Sequence, residues 1–439
     1  MDHKIFDQLI EQLNAPKEQD RLQALQSLRD LVDQGEISKP SADRDVNNHI
    51  HSTYSFSPYS PTKAVWRAWE AGLATAGIMD HDSIAGAMEF IAAGRIMDLP
   101  TTIGAECRAS FADTAFAGMR INNPDQKSVA YIALHGVPHS QIDALDRFFL
   151  SIRKSRSIRN RMMTAKLNEL LKPAELHIDY DLDVKSISLY QQGGEVTERH
   201  LLYAVALKLL ERFGAGSGLT DFLSSKLGIA VSDKAAAQLT DSKNPHVAYD
   251  LLGLLKSDLV EKFYIEADEE ECPPIADVVK FAADHGIVLA YPYLGDITSS
   301  VTGDKKAQNF EDSYLDELFV ELKKLGFMAV TYMPSRNTRE QLERLKGLCD
   351  KHGLFQISGE DINQPRQAFI CEAMRDPFFA NLYDAAWALI GHELTATDDL
   401  EDGMFSDKTI EKLGKLEKRI EHFRDQAFDR HNKSRKEGY

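Results

Sequence analysis

Residues 47–90 read NNHIHSTYSFSPYSPTKAVWRAWEAGLATAGIMDHDSIAGAMEF, and the alternation inside this stretch decides the fold. His49 and His51 stand two residues apart. On a strand such residues face the same way, so both imidazoles can reach one ion. A helical pattern follows, carrying Val65, Trp66, Trp69 and Leu73. Thr75 to Met79 then reads as a short apolar strand that runs into Asp80, His81 and Asp82. Residues 84–97 are helical again, and residues 100–105 form a strand leading to Glu106. A further strand, 128–134, ends at His135. Strands that alternate with helices predict a parallel α/β architecture.

Outward from this stretch the texture changes in both directions. Residues 1–44 read as a helical extension with an apolar stripe of Leu22, Leu25, Leu28, Leu31 and Val32, and Gly35 as its stop. Residues 45–140 form the first half of the α/β unit. Residues 141–272 break the alternation and read as a mainly helical insertion, closed by the acidic linker EADEEE at 266–271. Alternation resumes over 273–370, with helices at 278–285, 312–325 and 338–352 and strands at 287–291, 327–332 and 354–358. Residues 371–439 form a charged helical extension whose tail, NKSRKEGY, is expected to fray.

Bulk properties bound the function. The 439 residues allow two or three units, or one large α/β domain with insertions. A hydrophobic share of 43% and a charged share of 27% suit a soluble globular chain. The net charge of -17 repels phosphate backbones, which argues against general nucleic-acid binding. A small anionic substrate remains open, because a local metal or arginine pocket outweighs the global field. The four cysteines form no paired motif, as expected for reduced thiols. The opening MDHKIFDQLIEQLN has no continuous apolar run, and no stretch approaches the length of a membrane span. The expectation is a cytoplasmic protein with no membrane partner. The sequence gives no indication of oligomeric state.

The chemistry gathers at strand ends. His49 and His51 share one strand face, and the Asp80-His81-Asp82 run, Glu106, His135, and finally Asp361 with Asn363 each end or follow an apolar strand. In a closed parallel barrel those ends share one mouth. Each item alone has a plainer explanation: a surface histidine pair, a helix cap at Asp82, an ion pair between Glu106 and Arg108, a turn at His135, a loop at Asp361. Their repetition at successive strand ends favours a metal site. Mixed imidazoles and carboxylates suit Zn²⁺, Mn²⁺ or Fe²⁺.

The order HxH, HSTYS, Pro-started helix, DHD strand end and GAE resembles the polymerase and histidinol phosphatase (PHP) family. GGEVTERH is similar to the Arg-Pro-His segment of its stand-alone phosphoesterase branch. AYPYLGD stands where the family has Ala-His-Pro, and the stretch from Gly326 to Asn363 resembles its closing half. The resemblance spans roughly 45–365. It implies a distorted (β/α)7 TIM-like barrel, here with a helical insertion and helical extensions at both termini. It also implies metal-dependent phosphoester hydrolysis with up to three metals.

The departures narrow that implication. The family's first metal set corresponds to His49, His51, Glu106 and Asp361, and is complete. The second shares Glu106 and finds His135, but Tyr291 stands in place of a histidine. The third retains only His81, with Phe56 and Asn363 at its other positions. The expectation is one full metal site and at most a second. His81, Arg199 and His200 are then the candidate catalytic groups. Arg199, Arg336, Asn363 and Tyr291 are the candidates for binding a small phosphorylated substrate, although a surface ion pair explains either arginine equally well. The insertion, lying between two motif-bearing halves, is expected to cover the barrel mouth. The competing readings are a PHP-fold binding or regulatory module that has lost catalysis, and a hydrolase of a non-phosphate bond.

Overall fold

Two helices, α1 (His3–Gln12) and α2 (Glu18–Asp33), precede the first strand. The computed structural model describes residues 3–41, 44–297 and 310–437, so Ala42 and Asp43, at the edge of the expected N-terminal extension, lie outside it. The apolar stripe of α2 buries Ala24, Leu25, Leu28 and Val32. Arg21 from the same helix reaches Glu89 of the barrel, its Nε 2.7 Å from Oε1.

The alternation read from the sequence is present. It runs β1 (Val46–Ile50), α3 (Pro61–Glu70), β2 (Thr75–His81), α4 (Ala87–Met97), β3 (Thr101–Ser110) and β4 (Val129–His135). Pro61 opens α3 where a missing N–H costs nothing, and Ser60 caps it by accepting from the Lys63 N–H. Strands β1, β2 and β3 are parallel. β4 departs from the all-parallel expectation: it runs antiparallel to β3. Residues 111–128 between them hold turns and no helix, whereas a parallel return needs a crossover, usually a helix.

The insertion follows as α5 (Ile142–Leu171), α6 (Glu198–Phe213), α7 (Ser217–Lys226), α8 (Asp233–Thr240) and α9 (Val247–Phe263). It builds its own apolar core around Leu167, Leu201, Val205, Leu251 and Leu255. Buried charges fasten it to the barrel. Glu271 accepts from Arg108 on β3 and from Arg159 on α5, and Arg156 on α5 pairs with Asp82 at the end of β2. Removing one member of such a set strands the others, so it fixes geometry more than it adds stability.

The second half contributes α10 (Ile275–Asp284), β5 (Val288–Tyr293), α11 (Leu315–Leu325), β6 (Ala329–Tyr332), α12 (Arg339–His352) and β7 (Phe355–Ser358). β5 pairs antiparallel with β4, while β5, β6 and β7 are parallel. The sheet order is β1-β2-β3-β4-β5-β6-β7, and the seven strands form a nearly closed barrel. Closure comes just past β7, where Ile362 bridges Ile50 and exchanges backbone hydrogen bonds with His49 and His51.

Three helices complete the chain: α13 (Ala380–Asp398), α14 (Asp407–Leu413) and α15 (Leu416–Glu437). The expected fraying tail is helical through Glu437, with Gly438 and Tyr439 outside the described residues. Met79, Ala133, Val288, Ala290, Ala329 and Ile357 face inward and pack with Ala385, Ala388 and Leu389, so α13 plugs the barrel floor. Among the described residues no helix is long and apolar enough to cross a membrane.

Candidate metal centre

Strand periodicity sorts the candidate residues. Inward parity on β2 belongs to Met79 and His81, and on β3 it belongs to Gly104 and Glu106. Barrel closure then lays the 359–363 segment against the end of β1. Gly359 permits this approach, because a Cβ there would collide with the Cβ and backbone nitrogen of His49.

Four groups converge as a result. His49 Nε2 lies 3.6 Å from Glu106 Oε2. His51 Nε2 lies 3.5 Å from Glu106 Oε1 and 3.1 Å from Asp361 Oδ1. The ligand atoms of His49, His51 and Glu106 all lie within 4.8 Å of one another. Both Nε2 atoms are buried with no hydrogen-bond partner. Ring nitrogens and carboxylate oxygens facing one another across a buried space are costly unless something positive joins them. Imidazole nitrogen and carboxylate oxygen are also the donor types that Zn²⁺, Mn²⁺ and Fe²⁺ accept, so the site fits a divalent cation. Burial alone would raise both carboxyls. At Glu106 the His81 and His49 rings outweigh it, and at Asp361 His51 does, so both sit below the ordinary carboxylate range.

His81 joins this group from β2. Its Nδ1 is 2.9 Å from Glu106 Oε1, and the partly exposed ring lines the cavity above. Asn363 also lines the cavity, donating from Nδ2 to Asp361 Oδ1 at 2.6 Å, with its own Oδ1 buried and unpartnered.

The strand-end logic does not hold for His135, because β4 is reversed and its end points toward the floor. The ring keeps inward parity, at the level where His135 pairs with Val288. Its Nε2 is buried and unpartnered. Burial, helped by His49, lowers its pKa to about 3, so it is a neutral imidazole.

Tyr291 turns the other way. Ala290 takes the inward parity on β5, so Tyr291 packs beneath the outer helices and donates to Glu311 at 2.6 Å. The hydroxyl is thus engaged by Glu311, and among the described residues Tyr291 is not one of those that line the cavity. Phe56 has left the barrel as well. Its ring is buried in the insertion core, 4.9 Å from His200, 5.6 Å from Tyr203 and 5.8 Å from Tyr249.

Of the GGEVTERH residues, Glu198 and Arg199 line the cavity and His200 does not. His200 Nδ1 accepts from the Thr197 N–H as part of a capping box for α6, and burial lowers its pKa to about 3. Arg336 lies behind the cavity wall, giving its Nε proton to Leu294 O at 2.9 Å while Nη2 is buried without a partner.

The cavity has a volume of ≈ 600 Å³, within the range of small-molecule sites. His49, His81, Glu106 and Asp361 lie at its base. Arg199, Lys256, Glu261 and Tyr264 bring the insertion to its wall, as the position of the insertion between the two halves suggested. Lys256 and Tyr264 had no sequence signal, because they sit in ordinary amphipathic and linker segments. Ser52, Ser55 and Asp80 lie within quoted motifs, but their hydrogen bonds to one another and to His51 are visible only in three dimensions.

No protein-family profile matches the chain, and no curated protein matches it. Among solved structures, the fold is similar to a candidate metal-dependent phosphoesterase from Bifidobacterium adolescentis. Identity is 19%, 77% of this chain and 96% of that one are covered, and the TM-score is 0.48. It is also similar to an amidohydrolase from Chromobacterium violaceum, determined with bound sulfate and no metal. There identity is 18%, coverage 75% and 90%, and the TM-score 0.48. Likenesses this distant assign no activity, which leaves the side-chain geometry to carry the functional argument.

Proposed function

We propose that this chain is a metal-dependent hydrolase of the PHP type, acting on a small phosphorylated metabolite or nucleotide rather than on nucleic acid. One observation carries the reading: buried His49, His51 and Glu106 converge with the partly exposed Asp361 at the base of a substrate-sized cavity, with no hydrogen-bond partner for either histidine Nε2. A divalent cation held there supplies Lewis acidity toward an ester oxygen and activates water. The remaining work belongs to the chain. Arg199, on the cavity wall, offers a planar fork of donors to a phosphate. His81 keeps Nδ1 on Glu106, which leaves Nε2 to pass a proton to a leaving group. Asn363 holds the Asp361 carboxylate in place.

Two observations favour a second reading, a binding module that has lost turnover. Phe56 and Tyr291, at positions where the resemblance expects ligands for further metals, both point out of the site. The test is phosphate release from a panel of phosphomonoesters by metal-loaded protein. Release that disappears in His49→Ala and Asp361→Ala supports the hydrolase. Tight binding of a phosphorylated ligand without release supports the module. Hydrolysis confined to amides in a parallel panel would replace the phosphoesterase with a C–N hydrolase.

A further inference from the structure

Asp80 closes β2 on the parity opposite to His81 and is buried. Three donors from one short loop converge on it. The Ser52 N–H donates to Oδ1 at 2.7 Å, the Ser52 hydroxyl to Oδ2 at 2.6 Å, and the Ser55 hydroxyl to Oδ1 at 2.6 Å. The loop is drawn into a turn in which Ser55 N–H meets Ser52 O at 3.1 Å. On its other side, Ser55 Oγ lies 3.2 Å from His51 Nδ1.

A hydroxyl has one hydrogen. Ser55 gives its hydrogen to Asp80, so toward His51 it can only accept. The hydrogen between Ser55 and His51 therefore sits on Nδ1, and the lone pair of a neutral ring sits on Nε2. Nε2 is the atom that faces Glu106 and Asp361 and has no hydrogen-bond partner. The opposite tautomer would aim an N–H at those carboxylates and withdraw the lone pair from the site. His51, Ser55 and Asp80 are all buried, so bulk water does not substitute for the relay.

We propose that Ser55 and Asp80 are positioning residues that hold the proton of His51 on Nδ1 and thereby present its Nε2 lone pair to a divalent cation. The cation half of this statement rests on the metal-centre reading above, and the tautomer half does not. Groups that orient a metal-bound histidine in this way are typically worth about 10–100-fold in metal affinity.

The experiment reads both halves separately. Ring-nitrogen NMR on metal-free protein at pH 8, with His51 identified by its loss in His51→Gln, reports the tautomer. Zn²⁺ titration against a chromophoric chelator reports affinity. The expected result is a proton on Nδ1 in the native chain, its movement to Nε2 in Ser55→Ala, and about 10–100-fold weaker Zn²⁺ binding in that variant. Ser55→Thr, which keeps the hydroxyl, should restore both. Ser52→Ala, which weakens the same loop's hold on Asp80 without touching His51, should leave the tautomer in place, as a merely structural role of the loop would not. A proton on Nε2 in the native chain overturns the proposal, as does a Ser55→Ala variant with unchanged tautomer and affinity. Should Ser55→Ala fail to fold, Asp80→Ala, which removes the acceptor and frees the Ser55 hydrogen for His51 Nδ1, carries the same expectations. A native Nδ1 proton that moves in Ser55→Ala, combined with no Zn²⁺ binding to any form, supports the relay and overturns the metal reading alone.

Discussion

Asp361 shows what single residues do in this site. It stands 3.1 Å from His51 and accepts a 2.6 Å hydrogen bond from Asn363, so its carboxylate is aimed before any cation arrives. Asn363→Ala should cut divalent-metal affinity roughly tenfold, in the range found for groups that orient a ligand. Calorimetric titration checks this, and an unchanged affinity would mean that the loop alone aims Asp361. The residues proposed to hold the cation were legible in the sequence because Glu106 and Asp361 follow apolar strands and His49 and His51 stand two apart, so that strand parity turns spacing into direction. Tyr291 was misleading for the same reason: its neighbours on β5 are apolar on both sides, so nothing in the sequence shows which parity faces in.

Among the elements, α6 carries a pH signature. His200 occupies the third position of a capping box and must stay neutral to accept the Thr197 N–H. Burial lowers its pKa from 6.5 to about 3. Between those values the unfolded chain takes up a proton that the folded chain refuses, so its contribution to stability is present above pH 6.5 and is lost as pH falls toward 3. Glutamine is a natural occupant of this position in a capping box and does not titrate. His200→Gln should therefore flatten the fall in unfolding free energy between pH 6 and 4 by roughly 1 kcal/mol per pH unit. Urea denaturation across that range measures it, and an equal slope in both proteins would show that His200 titrates in the folded state. Element types were legible from periodicity, but the direction of β4 was not. Parallel and antiparallel neighbours here share the same apolar texture, and only the absence of a helix between Phe111 and Ser128 hinted at a reversal.

At the scale of the whole molecule, the barrel is closed at one end by α13 and walled at the other by the insertion. The floor depends on close contact of α13 with α15, where Gly391 lies against the backbone of Phe423. A side chain there meets backbone that cannot swing aside, so Gly391→Val should destabilise by about 1–3 kcal/mol or more. Calorimetry should show a lowered Tm, and an unchanged Tm would mean that the two helices separate freely. The long-range pairings were the least legible part. The buried Arg156–Asp82 contact, the Arg159–Glu271 contact and the packing of Phe56 with Tyr249 each join distant segments, and a charged or aromatic residue in one segment does not identify its partner in another.

The proposed function stands on a divalent cation held by His49, His51, Glu106 and Asp361. Elemental analysis of protein purified without chelator or metal-affinity resin, followed by equilibration with Zn²⁺ or Mn²⁺ and removal of excess, tests it most directly. The expected outcome is about one equivalent or more per chain in the native protein and near none in the His49→Ala, His51→Ala double variant of unchanged secondary structure, as ligand loss requires. A native chain that retains no metal after loading, or a double variant that retains as much as the native chain, would contradict it.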